Sequence, residues 1–416
     1  MPLSLAEGEP ISDTEFSGLM AAIADYEPQP RLLVAVSGGS DSLALLLLAN
    51  RWARHRGGEV LAVTVDHTLR PQSQAEAEQV ARWAAHHSIA HRLITLDPTL
   101  VRSRRPDQAW LRRLRYRALA GVARETGTVH LLLGHHQEDQ AETLILRMGR
   151  GSGVVGLAAM QPRVFSAAFQ TLRPLLGVSS ARLRATCVAA GQDWVRDPSN
   201  QNRDYLRIKV RQASPLLAGL SLTAQRLSET AARLAETRSF LFDHRDRFLA
   251  QYGEFHPAGF VRLTGLPWRV ESPLVVREAV GQVLRQVSGN PYAPRAASLD
   301  RLLARLTAPG PLDGCLGGCR LVTQRDGVLI FREAAAMQPE MPLLGEQGEL
   351  VWDGRWLVRW SDLKTQDYSV GAMTLAEIAP RRRALRAEAI PARVMPTLPI
   401  LRRRHDLCAG AACAFS

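Results

Sequence analysis

The 416-residue chain is poor in the residues that build several common protein classes. It has five cysteines, Cys187, Cys315, Cys319, Cys408 and Cys413, and no CxxC pair. An odd number at scattered positions excludes a disulfide framework and offers no paired metal-ligand spacing. Cys315 and Cys319 lie near each other without a second pair, so they read as buried or incidental thiols. No apolar run is long enough to span a membrane. The opening MPLSLAEGEPISDTEF is acidic and polar, unlike a secretory signal. A cytoplasmic protein with no membrane partner is the expectation. Lysine is nearly absent, with Lys209 and Lys364 the only two. Arginine therefore carries almost all of the positive charge: 52 basic residues against 40 acidic ones give a net charge of +12 and a pI of about 10.3. That balance suits a polyanion, and arginine suits bidentate phosphate contacts.

Two nucleotide motifs are also missing. The chain has no GxxxxGK[ST], and no GxGxxG follows its first apolar strand; this excludes the common P-loop and disfavours a dinucleotide site there. What stands in that place is RLLVAVSGGSDSLALLLL, residues 31–48. Leu32 to Val36 is short, branched and apolar, which predicts a buried strand. Ser37, Gly38 and Gly39 end it, and a helix-length apolar run begins at Ser40, with Ser40 or Asp41 as its expected cap. Strand, glycine turn and helix N-terminus together make an anion site, because free backbone N–H groups point at one spot. Ser37, Ser40 and Ser42 add hydroxyls. Asp41 repels phosphate on its own and makes sense as a Mg²⁺ ligand among phosphate oxygens. SGGSDS resembles the pyrophosphate loop of the PP-loop ATP pyrophosphatases.

Strand and helix patterns then alternate to about residue 148. This predicts an α/β fold, a parallel sheet covered on both faces, with ligands at the strands' carboxyl ends. Ser37, Asp66 and His135 all fall at such ends. Asp66 either contributes to an adenine-binding turn or caps the turn that follows it. The 102–124 stretch holds eight arginines, among them Arg112 and Arg115, with Asp107 and no other aspartate. Arg112 and Arg115 share a helix face; they either reach ATP phosphates and the RNA backbone or form a solvated face. In GHHQEDQAET, residues 134–143, Asp139 and Glu142 lie three apart in the first turns of a helix. Such a pair holds Mg²⁺, binds an ammonium group or takes a proton, although acids also favour a helix N-terminus for its own sake. Residues 147–160 are glycine-rich without helix or strand period, and predict a flexible loop able to close over a substrate. Arg207, Lys209 and Arg211 line the helix that begins near residue 205.

Past residue 215 the pattern changes. Long amphipathic helices, a hairpin about Arg325-Asp326-Gly327 and a second at Asp353-Gly354 predict a mostly helical domain followed by a small α+β region. Residues 338–348 read as a linker. The expected division is 1–215, 216–337 and 338–416, the last carrying Arg381–Arg383 and Arg402–Arg404.

The assembled motifs resemble the tRNA(Ile)-lysidine synthetase family: SGGSDS, VDHTLR at 65–70, LRRLRY at 111–116, GHHQEDQAET, RMGRGSGVVGL at 147–157, RPLL at 173–176 and WVRDPSN at 194–200. They occur in that family's order. Two positions depart from it. Glu138 precedes Asp139 where the family has paired aspartates, and Ile208 follows Arg207 where asparagine is usual. Glu138 is assigned no metal role. The resemblance implies a carbon–nitrogen ligase acting in two steps. The C2 oxygen of the wobble cytidine of a CAU anticodon takes the adenylyl group of ATP, and the ε-amine of free L-lysine then displaces AMP. It implies an ATP site at Ser37 to Ser42 and Asp66, Mg²⁺ on Asp41 and Asp139, and catalytic roles for Asp41, Arg115, His135, Asp139 and Glu142. It also implies tRNA(Ile) contacts by Arg112, Arg207 and Arg211. Oligomeric state, a homodimer included, is left open. The alternative is a tRNA thiolase on the same fold, which needs a reactive or cluster-binding cysteine near the nucleotide.

Overall fold

The structure is a computed structural model that describes residues 8–68, 72–102, 108–195, 206–265, 271–345, 347–361, 368–403 and 406–411. Arg70, Arg104, Arg105, Asp107, Arg404, Cys413 and the 196–200 part of the WVRDPSN motif lie outside these. The chain divides into two compact units, residues 1–238 and 239–416.

The first unit opens with α1 (Asp13–Ala21), β1 (Arg31–Ala35), α2 (Ser40–Arg54), β2 (Glu59–Asp66), α3 (Ser73–His86) and β3 (Ala90–Thr95). There follow α4 (Pro98–Arg102), α5 (Gln108–Thr126), β4 (His130–Leu133), α6 (Gln137–Met148), α7 (Val154–Leu157), β5 (Arg163–Phe165) and β6 (Gln170–Leu172). Helices α8 (Ser180–Ala189), α9 (Leu206–Gly219) and α10 (Ala224–Tyr252) come next, and the division between units falls within α10. The sheet order is β3-β2-β1-β4-β6-β5, parallel throughout except for β5. Leu33 sits between Leu61 of β2 and Leu131 of β4.

Every residue of β1 after Arg31 is buried, as a central parallel strand requires. Alternation sends Leu32 and Val34 into the core shared with α1, α2 and α8, and Leu33 and Ala35 into the core shared with α5. Helix α2 is apolar nearly all round because it is enclosed: Leu43 to Ala49 are all buried. Strand order reverses at β1, with β2 on one side and β4 on the other. Their carboxyl ends open the crevice where such sheets bind ligands.

Two sequence expectations are corrected here. The cap of α2 is Gly39, in extended backbone, rather than Ser40 or Asp41; Ser42 Oγ turns inward instead, donating to the Gly39 carbonyl at 3.0 Å and accepting from Ser37 N–H at 3.2 Å. The glycine-rich 147–160 stretch contains α7 and is held in place. Arg147 Nη1 donates to the carbonyls of Gly156 and Ala159, at 2.6 and 2.9 Å, and the Gln140 amide pairs with both backbone groups of Met160.

The second unit has β7 (Gly253–His256), β8 (Phe260–Thr264), α11 (Pro273–Ser288), α12 (Ala296–Thr307), β9 (Asp313–Leu316), β10 (Cys319–Gln324) and β11 (Gly327–Arg332). It ends with β12 (Met341–Pro342), β13 (Gly348–Trp352), β14 (Trp356–Trp360), β15 (Tyr368–Ala372), α13 (Leu375–Ala387), β16 (Pro399–Arg403) and β17 (Asp406–Ala411). Both expected hairpins form, as β10–β11 and β13–β14. The β content exceeds the expectation: the first hairpin belongs to a five-stranded sheet, β7-β8-β11-β10-β9, and four more strands make a second sheet. Residues 338–348 are not a free linker. Strand β12 pairs with β15, and Leu343 is buried.

Candidate active site

The loop after β1 carries the phosphate-binding geometry. Gly38 has a positive φ of 88°, which a side chain disfavours, and its carbonyl accepts from Val195 N–H at 2.9 Å. Gly134, after β4, matters for closeness. A Cβ there would lie 2.9 Å from the Asp41 carbonyl oxygen and 3.1 Å from Ser42 Cα. Glycine at that position lets the end of β4 press against the start of α2, and so brings His136 up to Asp41.

His136 is the ring on which the acids converge. Its Nε2 lies 3.5 Å from Asp41 Oδ2 and 3.5 Å from Asp139 Oδ2. On the other side Nδ1 donates to Glu138 Oε2 at 2.8 Å. Glu138 also accepts from Ser180 N–H at 3.0 Å and from the Ser180 hydroxyl at 3.1 Å. Despite desolvation, the His136 partner and the Ser180 bonds hold the Glu138 carboxyl down at about 2. Burial disfavours the charged His136 ring, yet the bond to Glu138 and the nearby Asp139 and Asp41 carry its pKa upward. Burial raises that of Asp41, with His136 pulling the other way and Asp139 adding to the rise. Glu138 thus orients a ring. Sequence reasoning singled out His135 and passed over His136; the acid two residues after it, Glu138, was the available signal.

Asp139 and Glu142 point the same way and are both buried. Asp139 Oδ2 also accepts the His136 N–H at 3.2 Å, so it closes the helix start as well. Helix α9 brings Arg207 and Arg211 to this pair rather than leaving them on an outer face. Arg211 Nε donates to Glu142 Oε1 in a short contact, and Arg211 Nη2 lies 3.5 Å from Asp139 Oδ1. Arg207 Nε lies 2.9 Å from Glu142 Oε2 but out of line for a hydrogen bond. Glu142 Oε2 is thus a buried acceptor with no aligned donor among the described residues.

Two cavities meet here. One, of about 420 Å³, is lined by Ser37, Gly39, Asp41, Asp66, His136 and Asp139. Asp66 is buried in its lining, and Oδ1 accepts Thr68 N–H at 2.8 Å, so its carboxylate closes the turn. The other cavity, of about 330 Å³, is lined by the carboxylates of Asp41, Glu138 and Glu142, by Arg184 and Arg211, and by apolar side chains that include Ile145 and Leu217. Asp41, His136 and Arg211 line both.

Arg115 is half-buried on α5, near enough to His67 and His135 to lower the pKa of each ring. Arg112, on the same face, is exposed, stacks on Tyr116 with its guanidinium 4.8 Å from the ring centre, and donates to the Tyr116 hydroxyl at 3.0 Å. Asp41 and Asp139, each with an oxygen 3.5 Å from His136 Nε2, are the two carboxylates that would hold Mg²⁺ alongside substrate phosphates; among the described residues no group of three or more His, Cys, Asp or Glu is placed to bind a metal. The described cysteine of this unit does not fit a thiolase. Cys187 is fully buried, and burial pushes its thiol up to about 12.

The profile of the PP-loop domain family matches residues 12–216. A tRNA(Ile)-lysidine synthase from Hyphomonas neptunium is 36% identical over 78% of this chain and 87% of its own length. The chain belongs to the tRNA(Ile)-lysidine synthase family. Another of that name, from Ruegeria pomeroyi, is 37% identical over 81% of this chain and 78% of its own, and one from Rhodopseudomonas palustris is 36% identical over 72% and 92%. Membership in the lysidine synthase family places the SGGSDS loop in an ATP-binding fold and agrees with the α/β architecture. Among the described residues no helix is long and apolar enough to cross a membrane.

Proposed function

We propose that this protein ligates lysine to C2 of the wobble cytidine in the CAU anticodon of tRNA(Ile), with ATP consumed to AMP and pyrophosphate. The observation that carries this reading is the pair of joined cavities. The larger, at the phosphate loop, suits a nucleotide. The smaller is lined by carboxylates and apolar side chains, which suits an ammonium group on an aliphatic arm. An amine bound there and a nucleotide bound next door meet at Asp41 and His136.

In the first step the cytidine C2 oxygen bonds to the α-phosphorus and pyrophosphate leaves. Backbone N–H groups of residues 37–42 and the serine hydroxyls bind the departing diphosphate. Arg115 stabilises the charge that develops on the phosphoryl oxygens. Bound Mg²⁺, held by Asp41 and Asp139, would offset that same charge. In the second step the ε-amine of lysine bonds to C2 and the C2–oxygen bond breaks, releasing AMP. Only the neutral amine attacks, so Glu142 or Asp139 first binds the ammonium and then receives its proton. Arg207 and Arg211 pair with these acids until the amine arrives. Arg112, the middle region and the basic C-terminal region supply RNA contacts in this reading.

The test is incorporation of labelled lysine into a CAU-anticodon transcript by the purified full chain with Mg²⁺ and ATP. Lysine-dependent AMP with one pyrophosphate per lysine is expected. ADP with orthophosphate, or RNA that gains no lysine, overturns the reading.

A further inference from the structure

His135 follows β4 after Gly134, is next to His136 in the chain and is half-buried. Its Nδ1 lies 3.2 Å from Arg173 Nε. A guanidinium has N–H donors and no acceptor. The contact is a hydrogen bond only if Nδ1 carries no proton, which leaves the proton of a neutral imidazole on Nε2.

Arg173 is well placed to enforce that state. It is buried, only 7% exposed, and its Nη1 donates to the Gln161 carbonyl at 2.8 Å. The Tyr116 hydroxyl is a further partner. The guanidinium therefore has a fixed plane, with Nε aimed at the ring. Arg112 and Arg115 act on the same ring as like charges, and burial acts with them to push His135 down to about 3. Asp139 opposes them without prevailing.

We propose that Arg173 is a positioning residue that holds His135 as the Nε2–H tautomer, so that His135 serves the reaction as a neutral hydrogen-bond donor and not as a general base. The role rests on the ligase reading for what it donates to, an anionic phosphoryl oxygen as the adenylyl group is transferred. The tautomer itself stands on geometry alone. A donor held in a dry, pre-set direction stabilises charge that grows in the transition state. It also leaves proton removal from the amine to the carboxylates of α6.

Long-range ¹H–¹⁵N correlation spectra of the full chain, labelled at histidine and free of substrate, read the tautomer directly. His135 is assigned by its loss in His135→Gln. A protonated Nε2 with a bare Nδ1 is expected. A proton on Nδ1, or a mixture of tautomers, overturns the inference whatever the protein catalyses. Kinetics supply the second arm. Arg173→Met, or Arg173→Lys if the methionine variant does not fold, is expected to slow adenylyl transfer about tenfold. Glutamine at 135 places an amide donor near the position of Nε2. In the His135→Gln background the same Arg173 change is expected to cost little further, a non-additive cycle. Equal slowing in both backgrounds would show that Arg173 acts through the fold and not through the ring.

Discussion

Each unit of this protein buries a carboxylate among arginines, and the two clusters are built to different ends. In the second unit, Asp353 is fully enclosed. Arg332 grips both of its oxygens at 2.9 Å, Arg355 reaches Oδ2 at 3.0 and 2.8 Å, and Gln338 N–H donates to Oδ1 at 3.1 Å. Both arginine side chains are less than one-tenth exposed. That cluster ties β11 to the β13–β14 hairpin, and Arg332 holds the Asp353 carboxyl below its usual range against the effect of burial. In the first unit, Glu142 keeps one oxygen without an aligned donor, its arginines are 46% and 42% exposed, and a cavity opens beside it. Both Asp353 oxygens are bonded, and that carboxylate fixes structure, although Arg355 Nη1 is a buried donor without a partner among the described residues. An acid left partly unsatisfied at a cavity can exchange its partner for a ligand.

Substitution should separate the two. Asp353→Ala strands two buried guanidinium groups, and the expected loss is about 3–5 kcal/mol of stability, read by urea unfolding. A loss below about 1 kcal/mol would mean that Asp353 is not what locks the hairpin. Glu142→Gln should act in the opposite sense. Water can solvate Arg207 and Arg211, so the stability change should stay within about 1 kcal/mol. Lysine transfer should fall about 10²–10³-fold while pyrophosphate release in the first step persists. If both steps fall together, Glu142 serves the nucleotide and not the amine.

Much of the first unit was legible because its signals are local. A branched apolar run, a glycine turn and a helix-length apolar run each occupy a few adjacent residues, so β1, the phosphate loop and α2 could be drawn from 31–48, though not the cap of α2. Asp139 and Glu142 sharing a face follows from helical spacing. What escaped were contacts between residues far apart in the chain. Ser180 bonds Glu138 across 42 positions, Arg211 meets Glu142 across 69, and Arg173 meets His135 across 38. No period encodes such pairings. Arg207 and Arg211 illustrate this, since a basic helix face looks the same whether it meets RNA or a buried acid. In the second unit β7–β8 and β9–β10 are also local hairpins, but their strands are short and carry little alternation, and β8–β11 joins segments far apart in the chain, so only the β10–β11 hairpin showed in the sequence.

A further expected effect is one of pH, and it sharpens the same contrast. His135 is held down at about 3 from an ordinary 6.5 by burial, while Glu377 in the second unit is held at about 2 from 4.5, chiefly by its bond to Arg402. Both depressed values mean that the unfolded chain binds protons first, so each group's contribution is complete at high pH and is lost on acidification. The windows differ. For His135 the loss starts below 6.5 and runs toward 3; for Glu377 it starts only below 4.5 and is weakened by solvent screening. Urea unfolding at stepped pH should therefore show His135→Gln gaining on the parent protein as pH falls below 6.5, with Glu377→Gln gaining only below 4.5. A parent-to-His135→Gln difference that stays constant down to about pH 4 would mean that the ring protonates freely in the folded protein, and with that the Arg173 contact could not be fixing it.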